Sequence, residues 1–249
     1  MRLIKLVRND VMKQKSGFLW LFILVIPLGT TAAMFLDMYI RYDYLFTMAQ
    51  KRGLTSWEML VNENHTMLQW GIFLPIFVAI ISAMVHQVEF DRNSWKSLLS
   101  LPVTRTSVFI SKFITIVLFS SILIVLNAIG LVVVGKVIGF PEPLSIEHYG
   151  SYIIHQFVGI FGVAALHNWM SSIFKNQAIP VVIGFIGVIF SSIILYQSFE
   201  IAKFSLYLYP FFAGGLQGFD SSVSIYGGIV CGAIITIIGN IEFTRRDIL

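Results

Sequence analysis

Residues 113–135, Phe-Ile-Thr-Ile-Val-Leu-Phe-Ser-Ser-Ile-Leu-Ile-Val-Leu-Asn-Ala-Ile-Gly-Leu-Val-Val-Val-Gly, contain no Asp, Glu, Lys or Arg. A helix rises 1.5 Å per residue, so about 20 residues cross the roughly 30 Å hydrocarbon layer, and this stretch is long enough. Six other uncharged stretches cover 16–36, 64–88, 148–174, 176–199, 204–219 and 221–241. All but 204–219 are long enough to cross. The expectation is therefore an all-α integral membrane protein of six transmembrane helices, near 17–40, 67–88, 108–135, 151–174, 177–198 and 222–243, forming one domain over 1–249. Composition agrees. The 249 residues are 57% hydrophobic and 12% charged, where a soluble domain carries roughly 25% charged residues.

The short stretch, Phe204-Ser-Leu-Tyr-Leu-Tyr-Pro-Phe-Phe-Ala-Gly-Gly-Leu-Gln-Gly-Phe219, carries Pro210, Gly214 and Gly215 among aromatic residues. Such residues break a helix where an aromatic strip can rest at the interface. It reads as an outer re-entrant or interfacial hairpin before the last span, or as an ordinary apolar outer loop. At the other end, basic residues precede an apolar run ending in Thr30-Thr-Ala-Ala33, which resembles a secretory signal. The long basic segment, an apolar run that reaches Leu36 and the five later spans favour an uncleaved first span.

Lysine and arginine resist translocation and so orient the spans. With the N-terminus inside, twelve fall on the cytoplasmic side: Arg2, Lys5, Arg8, Lys13, Lys15, Arg92, Lys96, Arg105, Lys112, Lys175, Arg245 and Arg246. Five fall outside: Arg41, Lys51, Arg52, Lys136 and Lys203. Both termini are therefore expected in the cytoplasm. The formal charge of +4 is spread over loops and termini instead of forming a dense basic patch, so it argues for membrane orientation and not for nucleic acid.

Residues 1–15 fit an amphipathic interfacial helix. At about 100° per residue Leu3, Ile4, Val7 and Val11 share one arc, and Arg2, Lys5, Arg8, Lys13 and Lys15 lie across from it. Such a helix lies flat, its apolar face in the headgroup boundary and its basic face against anionic lipid. The first cytoplasmic loop is more informative. In Asn93-Ser-Trp-Lys-Ser-Leu-Leu-Ser-Leu-Pro102, Asn93 or Ser94 can cap a short helix, Trp95, Leu98 and Leu99 fall on one face, and Pro102 ends it. That face needs a partner, either the bilayer interface or a groove on another protein.

Other chemistry is missing from the sequence. No G-x-x-x-x-G-K-[ST] phosphate loop is present, so nucleotide energy would have to come from another chain. The five histidines form no H-E-x-x-H arrangement, and the lone Cys231 has no metal-ligand spacing, so no metal site is expected. Asn127, His167, Asn168 and Asn240 are polar residues within spans, best read as interhelical hydrogen-bonding groups. Asn64-His65-Thr66 matches a glycosylation triplet, a pattern that arises readily by chance.

Four features together resemble the permease subunits of type-2, exporter-like ABC transporters, including antibiotic-peptide and bacitracin immunity permeases. They are the basic N-terminal elbow, Asp37-Met-Tyr-Ile-Arg-Tyr-Asp-Tyr-Leu45, Glu89 followed by Trp95-Lys-Ser-Leu-Leu-Ser-Leu-Pro-Val-Thr-Arg105 with Lys112, and the terminal Phe243-Thr-Arg-Arg-Asp-Ile-Leu249. The resemblance implies that the loop after the second span is a coupling helix seated on a separate ATP-binding subunit, itself a dimer that binds ATP and Mg. Glu89, Arg92, Trp95, Leu98, Leu99, Pro102 and Arg105 would form that interface. Arg2, Ile4, Lys5, Val7, Arg8 and Val11 would form the elbow on membrane lipid, and the hairpin with Pro210, Gly214 and Gly215 would cap the path outside. It further implies a second permease chain, identical or paralogous, no cofactor in this chain, a bacterial plasma membrane, and a hydrophobic or amphipathic peptide cargo. Three rival readings remain: a secondary transporter or channel, which would need an embedded coupling site; an intramembrane enzyme; and a non-transporting sensor or assembly subunit.

Overall fold

The computed structural model describes residues 2–15, 17–91, 95, 102–215 and 220–246. Among these it is helical, with no strand. Helix α1 (Arg2–Lys13) leads to α2 (Phe18–Arg52), α3 (Ser56–Asn62) and a π-helical turn (Glu63–Met67). Then come α4 (Trp70–Asp91), α5 (Arg105–Ile138), α6 (Ile146–Gly159), α7 (Phe161–Ile173) and α8 (Ala178–Gln197). Two short helices, α9 (Phe199–Ala202) and α10 (Tyr209–Phe212), precede α11 (Ser222–Arg245). Six helical segments are long and apolar enough to cross a membrane, α6 and α7 together making the fourth.

The first helix departs from its expected end. Its 35 residues reach about 52 Å at 1.5 Å each, well beyond the roughly 30 Å of hydrocarbon. Residues 41–52, beyond the expected span of 17–40, instead continue α2 beside the end of α5, which has 34 residues. Gly53 stops the helix at φ 69°, and the N–H groups of Gly53 and Leu54 return to the carbonyls of Gln50 and Ala49 in a Schellman closure. Thr55 and Glu58 then start α3 with a capping box, each side chain accepting from the other's N–H. Trp57 seats α3: its indole N–H donates to the Glu142 carbonyl at 2.8 Å and its ring meets Phe140 edge-on. The result is a folded cap, at the end of the bundle away from α1, with its own core of Met38, Leu45, Trp57, Leu60, Leu131 and Tyr149.

The fourth crossing is broken between Gly159 and Phe161. The backbone of Tyr209 and Pro210 lies 3.2 Å from where a Cβ on Gly159 would stand, so the residues before α11 press directly on the break. This segment re-enters the bundle. Tyr207 packs on Gly187, midway along α8, and donates or accepts at 3.2 Å with His167 of α7. Leu208, Tyr209, Pro210, Phe211 and Phe212 are all buried. Of the two readings of 204–219, the structure takes the re-entrant one for its described part.

Helix α11 packs on α6 and α7 through glycines. A Cβ on Gly228 would collide with the carbonyl of Val158 and lie 3.1 Å from the Cα of Gly159, and one on Gly232 would lie 3.0 Å from the Phe161 Cβ. This is the close small-residue approach by which helices associate where no hydrophobic force drives them together. The obstacle at Gly228 is backbone and cannot rotate away. Gly228→Val is expected to destabilise the fold by about 1–3 kcal/mol, read as an earlier thermal unfolding in detergent, with Ala tolerated better than Val.

Candidate functional site

Asp10, Lys13, Glu89 and Lys112 meet where α1 crosses the end of α4 and the start of α5. The ammonium of Lys112, 1% exposed, donates to Asp10 Oδ1 at 2.8 Å, Glu89 Oε1 at 2.7 Å and the Val85 carbonyl at 3.3 Å, which uses all three of its protons. Lys13 donates to the same Glu89 oxygen at 2.6 Å, and Ser111 donates to the second oxygen of Asp10 at 3.1 Å. Two buried carboxylates are thus balanced by two ammonium groups. Gln14 adds a hydrogen bond to the Met84 carbonyl. The elbow is therefore bolted to the bundle through the stripe Leu6, Asp10 and Gln14, all buried.

The two-faced pattern of residues 1–15 does not single out that stripe. Of the expected elbow residues, Ile4 is 75% exposed, and Lys5 and Arg8 are exposed, positions open to lipid. Val7 and Val11 are half-buried, Val11 packing on the core. Arg2 lies in α1. A helix between bundle and bilayer has three surroundings, and a two-faced pattern hides the third.

An aromatic cluster lies beside the ion set. Trp95, 6% exposed, stacks on His86 at 5.9 Å and packs on Phe90 and Phe243 at 5.7 and 5.8 Å. Its indole nitrogen has no hydrogen-bond partner among the described residues. His86 in turn bonds Asn168 at 3.0 Å, tying α4 to α7. Arg105 donates to the carbonyls of Thr244 and Arg246 at 3.1 and 2.7 Å, closing the end of α11. Desolvation lowers the pKa of Arg246, whose guanidinium reaches Ser172 at 3.1 Å.

The structure thus brings together Glu89, Trp95 and Arg105 and turns all three inward. Pro102 is exposed. Arg92, Leu98 and Leu99 lie outside the described residues. Burial of Trp95 and Glu89 makes them seats for the loop; their own faces are used up inside the chain. The signal for that was the pairing of a lone Glu89 with Lys112 near two span ends, but only the fold adds Asp10 and Lys13.

At the other end, His65 anchors the re-entrant segment. A carbonyl only accepts, so His65 Nε2–H donates to Phe211 O at 2.6 Å and Nδ1 accepts from the Tyr152 hydroxyl at 3.1 Å. Burial pushes the pKa of His65 down to about 4, which keeps the ring neutral. Gly214 packs directly on this ring, and Gly215 follows at φ 59°. Asn64, fully buried, bonds Asn127 and Tyr152, and Asn127 reaches Thr30 at 3.0 Å. Asn127, His167 and Asn168 therefore make the interhelical bonds expected of them, whereas Asn240 Oδ1 has no partner among the described residues. The triplet at 64–66 is a buried junction in this fold.

Among known proteins, this chain is similar to a Bacillus subtilis (strain 168) protein described as the uncharacterized membrane protein YdbK. The two are 31% identical over 126 residues, 47% of this chain, and the chain spans 49% of that relative's length. A family model described as ABC-2 family transporter protein matches residues 6–191, from the elbow through most of α8. With that match covering most of its length, and six apolar helices to carry it, the chain belongs to the ABC-2 transporter family.

Proposed function

We propose that this chain is the membrane-spanning subunit of an ATP-driven transporter, energised by a separate ATP-binding subunit that meets it at the loop between α4 and α5. Two ATP-binding chains carrying ATP and Mg would face two permease chains, identical or paralogous. Both termini would lie in the cytoplasm of a bacterial cell whose plasma membrane holds the six spans. The observation that carries the reading is the seat of the loop: Trp95 is held by His86, Phe90 and Phe243, next to the Asp10–Lys112–Glu89 set. A short loop transmits a push only if it is rigidly held, and here both of its flanks are fixed. The cargo that suits these apolar spans is a hydrophobic or amphipathic peptide, a point that rests on family analogy.

Pro102 offers a direct test because it is exposed and Cys231 is the single cysteine. In a Cys231→Ser background, Pro102→Cys is expected to crosslink to an ATP-binding chain copurified with the tagged protein, while an outer cysteine in place of exposed Ile146 is not. Transport by the purified chain alone would instead favour a secondary transporter or channel.

A further inference from the structure

The cap encloses a pocket of about 660 Å³, within the range that holds a small ligand. It lies between the extension of α2, α3 with its π-helical turn, the start of α6 and the residues after α10. Its wall is mixed. Leu45, Met48, Met59 and Met67 supply apolar, polarisable surface, and charged groups stand among them.

Those charged groups are unequally satisfied. Arg41 donates to Asp37 at 2.7 Å, and Glu58 is engaged with Thr55 in the capping box. Arg52 also lines the wall and has a partner of its own. Glu63 differs. It is 4% exposed, and among the described residues its Oε2 receives no hydrogen bond; the Arg41 guanidinium stands at 3.6 Å, an ion pair beyond hydrogen-bond range. His148 is half-buried on this wall, and its enclosed Nε2 has no hydrogen-bond partner among the described residues either. A buried carboxylate oxygen without a donor is costly, and such atoms are few in folded proteins.

We propose that this pocket is a binding site for a cationic amphiphile, a primary ammonium or guanidinium group on an apolar body, with Glu63 accepting from the cation. The methionine and leucine wall takes the apolar part, and thioethers adapt to varied shapes. Glu63 sits in a π-helical turn, which presents its carboxylate between the extension of α2 and the glycines after α10. Burial and the nearby Asp37 raise the carboxyl's pKa while Arg41 and Arg52 oppose that, so a bound cation would add to the stabilisation those two guanidinium groups already give. The pocket's location on the outer side is the one point that rests on the proposed transport reading.

The test uses the full chain in phosphatidylcholine nanodiscs, with 4-phenylbutylammonium and the neutral 4-phenylbutanol as probes and empty discs subtracted. The ammonium is expected to bind at least about tenfold more tightly than the alcohol, and Glu63→Gln to remove most of that difference. Met67 is two-thirds exposed on the rim, so Met67→Lys is expected to weaken ammonium binding and Met67→Glu to strengthen it, whether or not the Glu63 variant folds. Equal binding of the two probes, or ammonium binding indifferent to the charge at 67, overturns the site. Binding is measured without ATP or a partner chain. Failure to find an ATP-binding subunit would therefore remove the transport reading and leave this result standing, and the reverse also holds.

Discussion

Replacing Trp95 by alanine is expected to abolish ATP-dependent transport while the six spans remain inserted. The indole is almost wholly enclosed by His86, Phe90 and Phe243, and these belong to α4 and α11, whereas Trp95 lies in the loop. Truncating a buried Trp to Ala costs about 3–5 kcal/mol, and here the loss falls on the contact that joins loop to bundle. The spans themselves have separate cores, so insertion should survive. Because the indole nitrogen makes no hydrogen bond among the described residues, Trp95→Phe should retain most activity. Adding Leu98→Ala to Trp95→Ala should leave no transport in proteoliposomes prepared with the ATP-binding partner. Transport at the parent rate by that double variant would remove the assignment of this loop as the point of coupling.

The second large effect is expected at Lys112. Removing one partner from a buried ion set leaves charge uncompensated and typically costs about 3–5 kcal/mol. Lys112→Met would take the shared ammonium from Asp10 and Glu89, leaving Lys13, whose side chain is partly exposed, 2.6 Å from Glu89 and 4.0 Å from Asp10. Loss of α1 from the bundle is the expected consequence, seen as early thermal unfolding and as new protease sensitivity near residues 2–15. The partner changes discriminate the cause. Combining Lys112→Met with Asp10→Asn and Glu89→Gln removes the stranded charges, and should recover a large part of the lost stability even though no ion pair is restored. A triple variant as unstable as the single one would instead show that Lys112 stabilises the elbow chiefly through the packing of its aliphatic stem.

Much of the architecture is legible in the sequence because the bilayer imposes a coarse rule. Apolar runs of sufficient length must cross, and the uncharged stretches around 113–135, 176–199 and 221–241 meet that rule without knowledge of any neighbour. The capping signals around Thr55 and Glu58 are equally local, yet they are masked because residues 37–63 look like loop. Their hydropathy falls outside the bilayer, and a helix that projects into water keeps its hydrogen bonds while losing the apolar signature. The broken fourth crossing is hidden for the opposite reason: 148–174 is uncharged throughout, and the backbone that packs against the break at Gly159 is that of Tyr209 and Pro210, far along the chain.

The candidate site divides in the same way. Trp95 and Glu89 stand out as unusual residues in a short loop, but a spacing of i, i+3 and i+4 shows only which residues share a face, and not whether that face turns toward a partner or back to the bundle. Glu63 carries no signal at all, since a single acid in an outer segment is ordinary until its surroundings are known. That six apolar helices are long enough to cross a membrane follows from the chain alone, because transfer to hydrocarbon acts on each segment separately. That Asp10, Lys13, Glu89 and Lys112 share one buried set, that Tyr207 reaches the middle of α8, and that Glu63 Oε2 lacks a donor among the described residues emerge only once the helices are packed. Those facts depend on distances between residues far apart in the chain, which packing sets and local pattern does not encode.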